Sequence, residues 1–297
     1  MTRMDSLRAI ANTVLYEGYM LYPYRPSALK NQRPGWSFGS LLPAAYVAAN
    51  PGEGSFMSAQ VLASTEDNAA LEIEARFLQL HDDDAEGMTE HSVEAQAAVG
   101  ELLRNAQTVP FHFESKQSPI EGALEIRAEL VSEKLARISL SLCNTSQTPR
   151  QFSNRDEALR QALIAAHAVI LISNGEFISL LNPPESLRDA VAGCRHTGVF
   201  PVLAGDPADG TAMLLSPIIL YDYPQIAPES RGDFFDSSEI DELLTLRVIT
   251  LSEAEKQEIE RAHPRAREVL QRAESTTPKE ALKMHGVFRD VHGVKGE

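Results

Sequence analysis

LEIRAELVSEKLARISLSL, residues 124–142, contains two runs with a period of two. In the first, Leu124, Ile126, Ala128 and Leu130 alternate with Glu125, Arg127 and Glu129. In the second, Ile138, Leu140 and Leu142 alternate with Arg137, Ser139 and Ser141. Successive side chains of a strand point to opposite faces, so each run has one apolar and one wet face. Polar residues 132–134 separate the runs, which predicts an antiparallel hairpin with one face in water.

The same signal recurs upstream. Leu71, Ile73, Ala75 and Phe77 alternate with Glu72, Glu74 and Arg76, as in a half-buried strand. Leu78, Gln79 and Leu80 shift the phase by one, so the strand either ends there or carries a bulge. HDDDAEG (81–87) reads as a turn, residues 88–106 as a helix, and Val109–Glu114 as a further strand. Before them, Leu7, Ile10, Ala11 and Val14 recur at helical spacing. Residues 16–43, with Pro23, Pro26, Pro34 and Pro43, read as an extended segment laid over the domain.

Downstream, the polar stretch 146–157 (SQTPRQFSNRDE) is the expected domain boundary. A helix is predicted over Arg155–Ala166. The apolar runs flanking Asn174-Gly175 predict a hairpin over 168–181, since a two-residue turn favours residues that tolerate positive φ. Residues 185–193 read as a short helix, and 199–205 and 212–224 as buried strands. Helices are expected from Ser237 or Ser238 to Val248, from the Ser252/Glu255 capping box to Ala262, and from Pro264 to Ala273. The prediction is therefore an α+β fold. Residues 1–150 form an antiparallel β-sheet or sandwich-like N-terminal half, and residues 151–297 a mixed α/β C-terminal half ending in helices.

The chain has 297 residues, long enough for two domains or one large one. Apolar residues at 43% and charged residues at 23% argue for an ordinary globular protein and against disorder or a coiled coil. Net charge is 27 − 42 = −15, so no global field favours nucleic acid or an anionic membrane. The longest apolar stretches fall short of the roughly 20 residues that span a bilayer. The expectation is a cytoplasmic protein with no membrane insertion. Cys143 and Cys194 belong to no CxxC or Cys/His cluster, so free thiols and no metal or other cofactor are expected. The histidines have no HxH or HExxH spacing. No GxSxG, Walker A or GxGxxG motif stands out.

Two segments are candidates for function. Tyr16, Tyr19, Tyr22 and Tyr24 are followed directly by Arg25, Lys30, Arg33 and Trp36. Residues 1–33 hold five basic and two acidic side chains, a local +3 on an acidic chain. Tyr, Trp and Arg offer large contact area with hydrogen bonds, so Tyr19, Tyr22, Tyr24, Arg25, Lys30 and Trp36 form a candidate protein-contact segment. The plain alternative is that the rings cover the chain's own sheet. The second segment, YDYPQIAPESRGDFFDSSEIDELL (221–244), carries Asp222, Glu229, Asp233, Asp236 and Glu239. Acids at a helix start are favoured by the helix dipole, which gives this clustering an ordinary cause. A rival reading is an enzyme of unknown class. Tyr24, Arg25, Lys30, Asp222 and Glu229 would converge on a small acidic substrate between the halves. Metal carriage by the 229–242 acids is a weaker option.

VLYEGYMLYPYRPSALKNQ (14–32) and SPIILYDYPQIAPESRGDFFDSSEIDELLTLRV (216–248) resemble a family of uncharacterised bacterial proteins associated with gene clusters of oxygen-tolerant NiFe hydrogenases. The resemblance implies an accessory role in assembly or maturation, with a hydrogenase subunit or maturation factor as the protein partner. No catalytic residues are assigned in that family, so none is carried over.

Overall fold

The computed structural model describes residues 39–80, 88–115, 118–147 and 152–224, and the helical positions 4, 7, 8, 10–12, 253, 256, 257 and 271. β4 (Ile120–Ser132) and β5 (Leu135–Asn144) form the expected hairpin. Leu124 lies opposite Leu142, Ile126 opposite Leu140 and Ala128 opposite Ile138. Leu124, Ile126, Ile138, Leu140 and Leu142 are all buried, as the alternation requires.

The organising element is β1, Phe56–Leu80, a strand of 25 residues. Residues 56–64 pair with β5 and residues 70–80 with β2 (Met88–Ala98), all antiparallel. On its opposite edge β1 pairs with β7 (His196–Thr197) and then with β6 (Ile164–Phe177). The strand turns from one set of neighbours to the other at Thr65–Ala70, where the register shifts and Asn68 has φ 65°. A second register shift falls between Arg76 and Leu78, opposite Ala165 with φ 51°. The extra residue is on β6, where Ala165 and Ala166 stand against Phe77 alone, and β1 keeps an unbroken register with β2 to Leu80, so β1 neither ends nor bulges at Leu78.

β9 (Ala212–Ser216) and β8 (Phe200–Ala204) extend the sheet beyond β6, and β3 (Gln107–Phe113) closes its other end. The order is β3-β4-β5-β1-β6-β9-β8, nine strands in one sheet, with β2 and β7 as additional partners of β1. The described helices are short: α1 (Ala44–Ala49), α2 (Val99–Leu102), α3 (Arg155–Leu159) and α4 (Arg188–Ala192). Among the described residues no helix is long and apolar enough to cross a membrane.

This corrects the expected α+β class. The described part of the second half is not a mixed α/β unit, because β6, β8 and β9 continue the antiparallel sheet of the first half. The expected boundary at 146–157 runs from just after β5 into the first turn of α3, and strands from both sides of it pair with β1. The physical reason lies in β6. Ile164–Ile170 is buried without interruption because both faces are covered, so the period-two signal vanishes. Ala168, Ile170 and Ile172 join the main core, while Val169 belongs to a second cluster with Met4, Leu7 and Ala11 of the N-terminal helical residues.

Three local expectations also change. Residues 88–98 are strand rather than helix. Val93, Ala95 and Ala97 face inward there, and two alanines carry too little apolar weight to reveal the alternation. The helix expected over Arg155–Ala166 stops at Leu159. Asn154 caps it by accepting from Glu157 N at 2.9 Å. Asn174-Gly175 makes no hairpin: β6 runs straight through. Asn174 does take a positive φ of 53°, but as the partner of the β1 bulge. The C-terminal helices expected from residue 237 onward lie outside the described residues, apart from helical positions 253, 256, 257 and 271.

Candidate functional site

Tyr19, Tyr22, Tyr24, Arg25, Lys30 and Trp36 lie outside the described residues, as do Glu229, Asp233, Asp236 and Glu239. What the structure describes is where the two candidate segments join the sheet. Asn12 accepts a hydrogen bond from Arg76 Nη2. Arg76 stands opposite His167 in the β1–β6 register. At the other end of the tyrosine segment, Gly39 O accepts from Ala166 N at 2.9 Å. Gly39 has φ +54°, and a Cβ there would lie 2.7 Å from Pro217 Cβ, so only glycine fits. The described residues before the tyrosine segment thus reach β1 at Arg76, and those after it reach β6 at Ala166, next to the His167 that pairs with Arg76. Pro217, at the end of β9, opens the stretch that leads to the acidic segment. Ile219 and Tyr221 on that stretch are 72% and 85% exposed, the most exposed large apolar side chains described.

The surface beneath is polar and buried. Glu74 and Arg76 were expected on a wet face, yet each is only 4% exposed. The N-terminal helical residues cover them. Arg8 Nε donates to Glu74 Oε2 at 2.9 Å. Arg76 Nε donates to Glu90 Oε1 at 3.1 Å, and Arg76 Nη2 contacts the same oxygen. His167 is fully buried beside them, with Nδ1 2.9 Å from Ala165 O. A carbonyl only accepts, so Nδ1 carries the proton of the neutral ring and Nε2 presents its lone pair. Burial lowers the His167 pKa to about 4, helped by the Arg76 charge and opposed by the Ala165 hydrogen bond and Glu90.

Asp222 is the one described member of the acidic candidate set, and both its oxygens are engaged within the chain. Oδ1 accepts from Leu203 N at 2.8 Å and Oδ2 from Ser179 Oγ at 2.5 Å. The following residue, Tyr223, donates its N–H to Leu203 O at 2.7 Å. Together they stand in for a neighbouring strand at the outer edge of β8, which blunts an edge otherwise open to pairing. Burial raises the Tyr223 pKa, and Asp222, Asp209, Glu176 and Asp206 raise it further. Asp222→Ala removes the acceptor from a partly buried N–H, which costs about 1–3 kcal/mol. We expect a lower urea midpoint for Asp222→Ala and a smaller loss for Asp222→Asn, which keeps one acceptor oxygen. Equal midpoints for the wild type and Asp222→Ala would refute the structural role.

A shallow cleft of about 150 Å³ lies on the wet face of β4, β5 and β1. Two rungs of the sheet line it: Glu125–Ser141–Ser58 and Arg127–Ser139–Gln60. Arg195 borders it from the stretch between α4 and β7. Gln60 holds Arg195 in place at both backbone groups, donating its N–H to Arg195 O at 2.9 Å and accepting from Arg195 N at 3.0 Å through Oε1. Arg195 Nη1 also donates to Ala192 O and Cys194 O, at 2.8 and 3.1 Å. The alternation of Ser139 and Ser141 with Leu140 marked this face as wet; nothing in the sequence joined Arg195 to it.

Cys143 and Cys194 are free thiols, each partly exposed. His196 follows Cys194 closely but belongs to β7, where its ring lies tilted against Phe200, with ring centres 5.9 Å apart. Among the described residues no three His, Cys, Asp or Glu side chains are grouped to hold a metal ion. No protein-family model and no curated protein matches the chain.

Proposed function

We propose that the chain is an accessory protein that binds a protein partner through the tyrosine–arginine segment and the neighbouring acidic segment. The observation that supports this reading is the convergence of their described ends. Asn12 joins the sheet at Arg76 of β1 and Gly39 at Ala166 of the adjoining β6, Gly39 packs on Pro217, and Ile219 and Tyr221, just after Pro217 in the chain, are exposed. Large apolar side chains near a cationic segment and an acidic one suit a partner surface with an apolar centre and charged rim. The resemblance to proteins of NiFe hydrogenase gene clusters supplies the partner class, a hydrogenase subunit or a maturation factor.

The test is affinity purification of tagged protein from its native host, grown with and without hydrogen. Wild type is expected to capture such a partner. The Tyr22→Ala/Tyr24→Ala/Arg25→Ala variant is expected to lose it while its thermal melt stays unchanged. Ile219→Ala/Tyr221→Ala is expected to weaken capture about 30-fold, the equivalent of one hot-spot residue at about 2 kcal/mol. Absence of any specific partner under both growth conditions would sink the proposal. A melt that collapses in the triple variant would instead assign those rings to packing on the sheet.

A further inference from the structure

We propose that the cleft between Arg127 and Arg195 binds a phosphoryl group, either as inorganic phosphate or as a phosphate ester. Its floor is made of neutral polar side chains on adjacent rungs: Ser58 and Ser141 on one, Gln60 and Ser139 on the next. Ser141 Oγ donates to Met57 O at 3.2 Å, which leaves the hydroxyls of Ser58 and Ser139, with the guanidinium groups, as the donors that a tetrahedral oxyanion requires, and charge-assisted bonds to it are the strong ones.

The two arginines come from opposite sides. Arg127 stands on β4, beyond β5, and Arg195 lies beyond β1, so the serines of β5 and β1 sit between them. They are also held differently. Arg195 is fixed in advance by Gln60 and by the carbonyls of Ala192 and Cys194. Arg127 is 68% exposed and its ion pair with Glu125 is 3.8 Å long. A surface pair of that length contributes little, so Arg127 can turn to an anion at small cost.

Size restricts the ligand. Drug-sized and cofactor pockets run to roughly 300–1,000 Å³. A cleft of about 150 Å³ holds a single phosphoryl group, and the organic part of an ester would lie outside it. Charge is the main counter-argument, since the chain carries −15. At physiological salt the Debye length is about 8 Å, so distant acids are screened. The lining of the cleft holds two arginines against one carboxylate, Glu125.

The experiment is calorimetric titration of the full chain with inorganic phosphate and, separately, with phosphoserine, at physiological ionic strength. Saturable binding with Kd of about 1 mM or tighter is expected. Arg127→Gln and Arg195→Gln should each weaken it about tenfold or more, the loss of one charge-assisted contact. Arg127→Gln changes an exposed side chain, so its thermal melt should match wild type and the loss of binding cannot be ascribed to unfolding. The amide resonances of Gln60 and Arg195 should shift on titration. Tighter binding of phosphoserine assigns the site to an ester, and tighter binding of phosphate to the free anion. No saturable heat with either, or affinity unchanged in both variants, overturns the proposal.

Discussion

Phe77→Ala is expected to lower the free energy of unfolding by about 3–5 kcal/mol, enough to leave a marginally stable chain partly unfolded at room temperature. Phe77 is fully buried in the longest strand. Its ring centre lies 5.5 Å from that of His91, and 5.8 Å from those of both Phe111 and Phe113. These rings stand where the sheet lacks a ladder. β2 pairs with β1 and β3 with β4, but no register joins β2 to β3. Side chains close that seam: His91 stacks on Phe113 at 4.1 Å, and Gln107 Nε2 donates to Gln96 O at 3.3 Å. Truncating Phe77 therefore removes the surface on which both edge strands rest. The cavity cannot be filled cheaply by Phe111, whose Cζ already lies 2.2 Å from where a Cβ on Gly122 would be. Urea titration checks the magnitude, and amide exchange checks the place, with protection lost first in residues 88–98 and 107–113. A midpoint change worth less than about 1 kcal/mol would mean that the seam is held by something other than these rings.

How much of this was legible follows from where the contacts lie along the chain. β4 and β5 are adjacent in sequence, each has one buried face, and their hairpin is plain from Leu124–Leu142. The strand around Leu71–Phe77 was equally plain, but not its length. The polar stretch Glu66–Asn68 looks like an end, whereas β1 passes through it by means of a bulge. That β6 lies along β1 could not be seen, because Ile73 and Ile170 are almost a hundred residues apart and a doubly covered strand has no alternation to match. Asn174-Gly175 shows the same limit from the other side. The local turn chemistry was read correctly as favouring positive φ at Asn174, yet the neighbouring strand put that conformation to a different use.

The candidate sites divide in a similar way. Asp222 was noticed as one acid among many, while its engagement with Leu203 and Ser179 depends on a chain reversal after β9 that no spacing records. The cleft needed three strands and the α4–β7 connection to meet. Ser139 and Arg127 were seen only as wet-face residues, and no pattern in the sequence singles out Arg195. The phosphoryl and partner-binding proposals rest on separate surfaces and fail separately.

His167 should make the protein acid-sensitive well above the carboxylate range. In the unfolded chain its pKa is 6.5, and in the folded chain burial first, and Arg76 second, lower it to about 4. Above pH 6.5 both states hold the ring neutral and His167 costs nothing. Between pH 6.5 and about 4 the unfolded state takes up a proton that the folded state refuses. Stability must fall with pH over that window, by about 1.4 kcal/mol per unit at most and about 3 kcal/mol in all. Below about pH 4 the folded state protonates too and the His167 slope ends. The groups around the ring set the direction: Arg76 opposes a second cation, while Glu90 favours it but already contacts Arg76. His167→Leu leaves Ala165 O without its donor and should cost about 1 kcal/mol at pH 7.5. Its stability should nevertheless depend less on pH than that of wild type, and the two curves should converge or cross between pH 6 and pH 4.5. Other titrating groups are common to both proteins, so the difference between the curves isolates this ring. Parallel curves would show that His167 is protonated or solvated in the folded chain, and that the contact between β1, β6 and the N-terminal helical residues is looser than the burial of Arg76 implies.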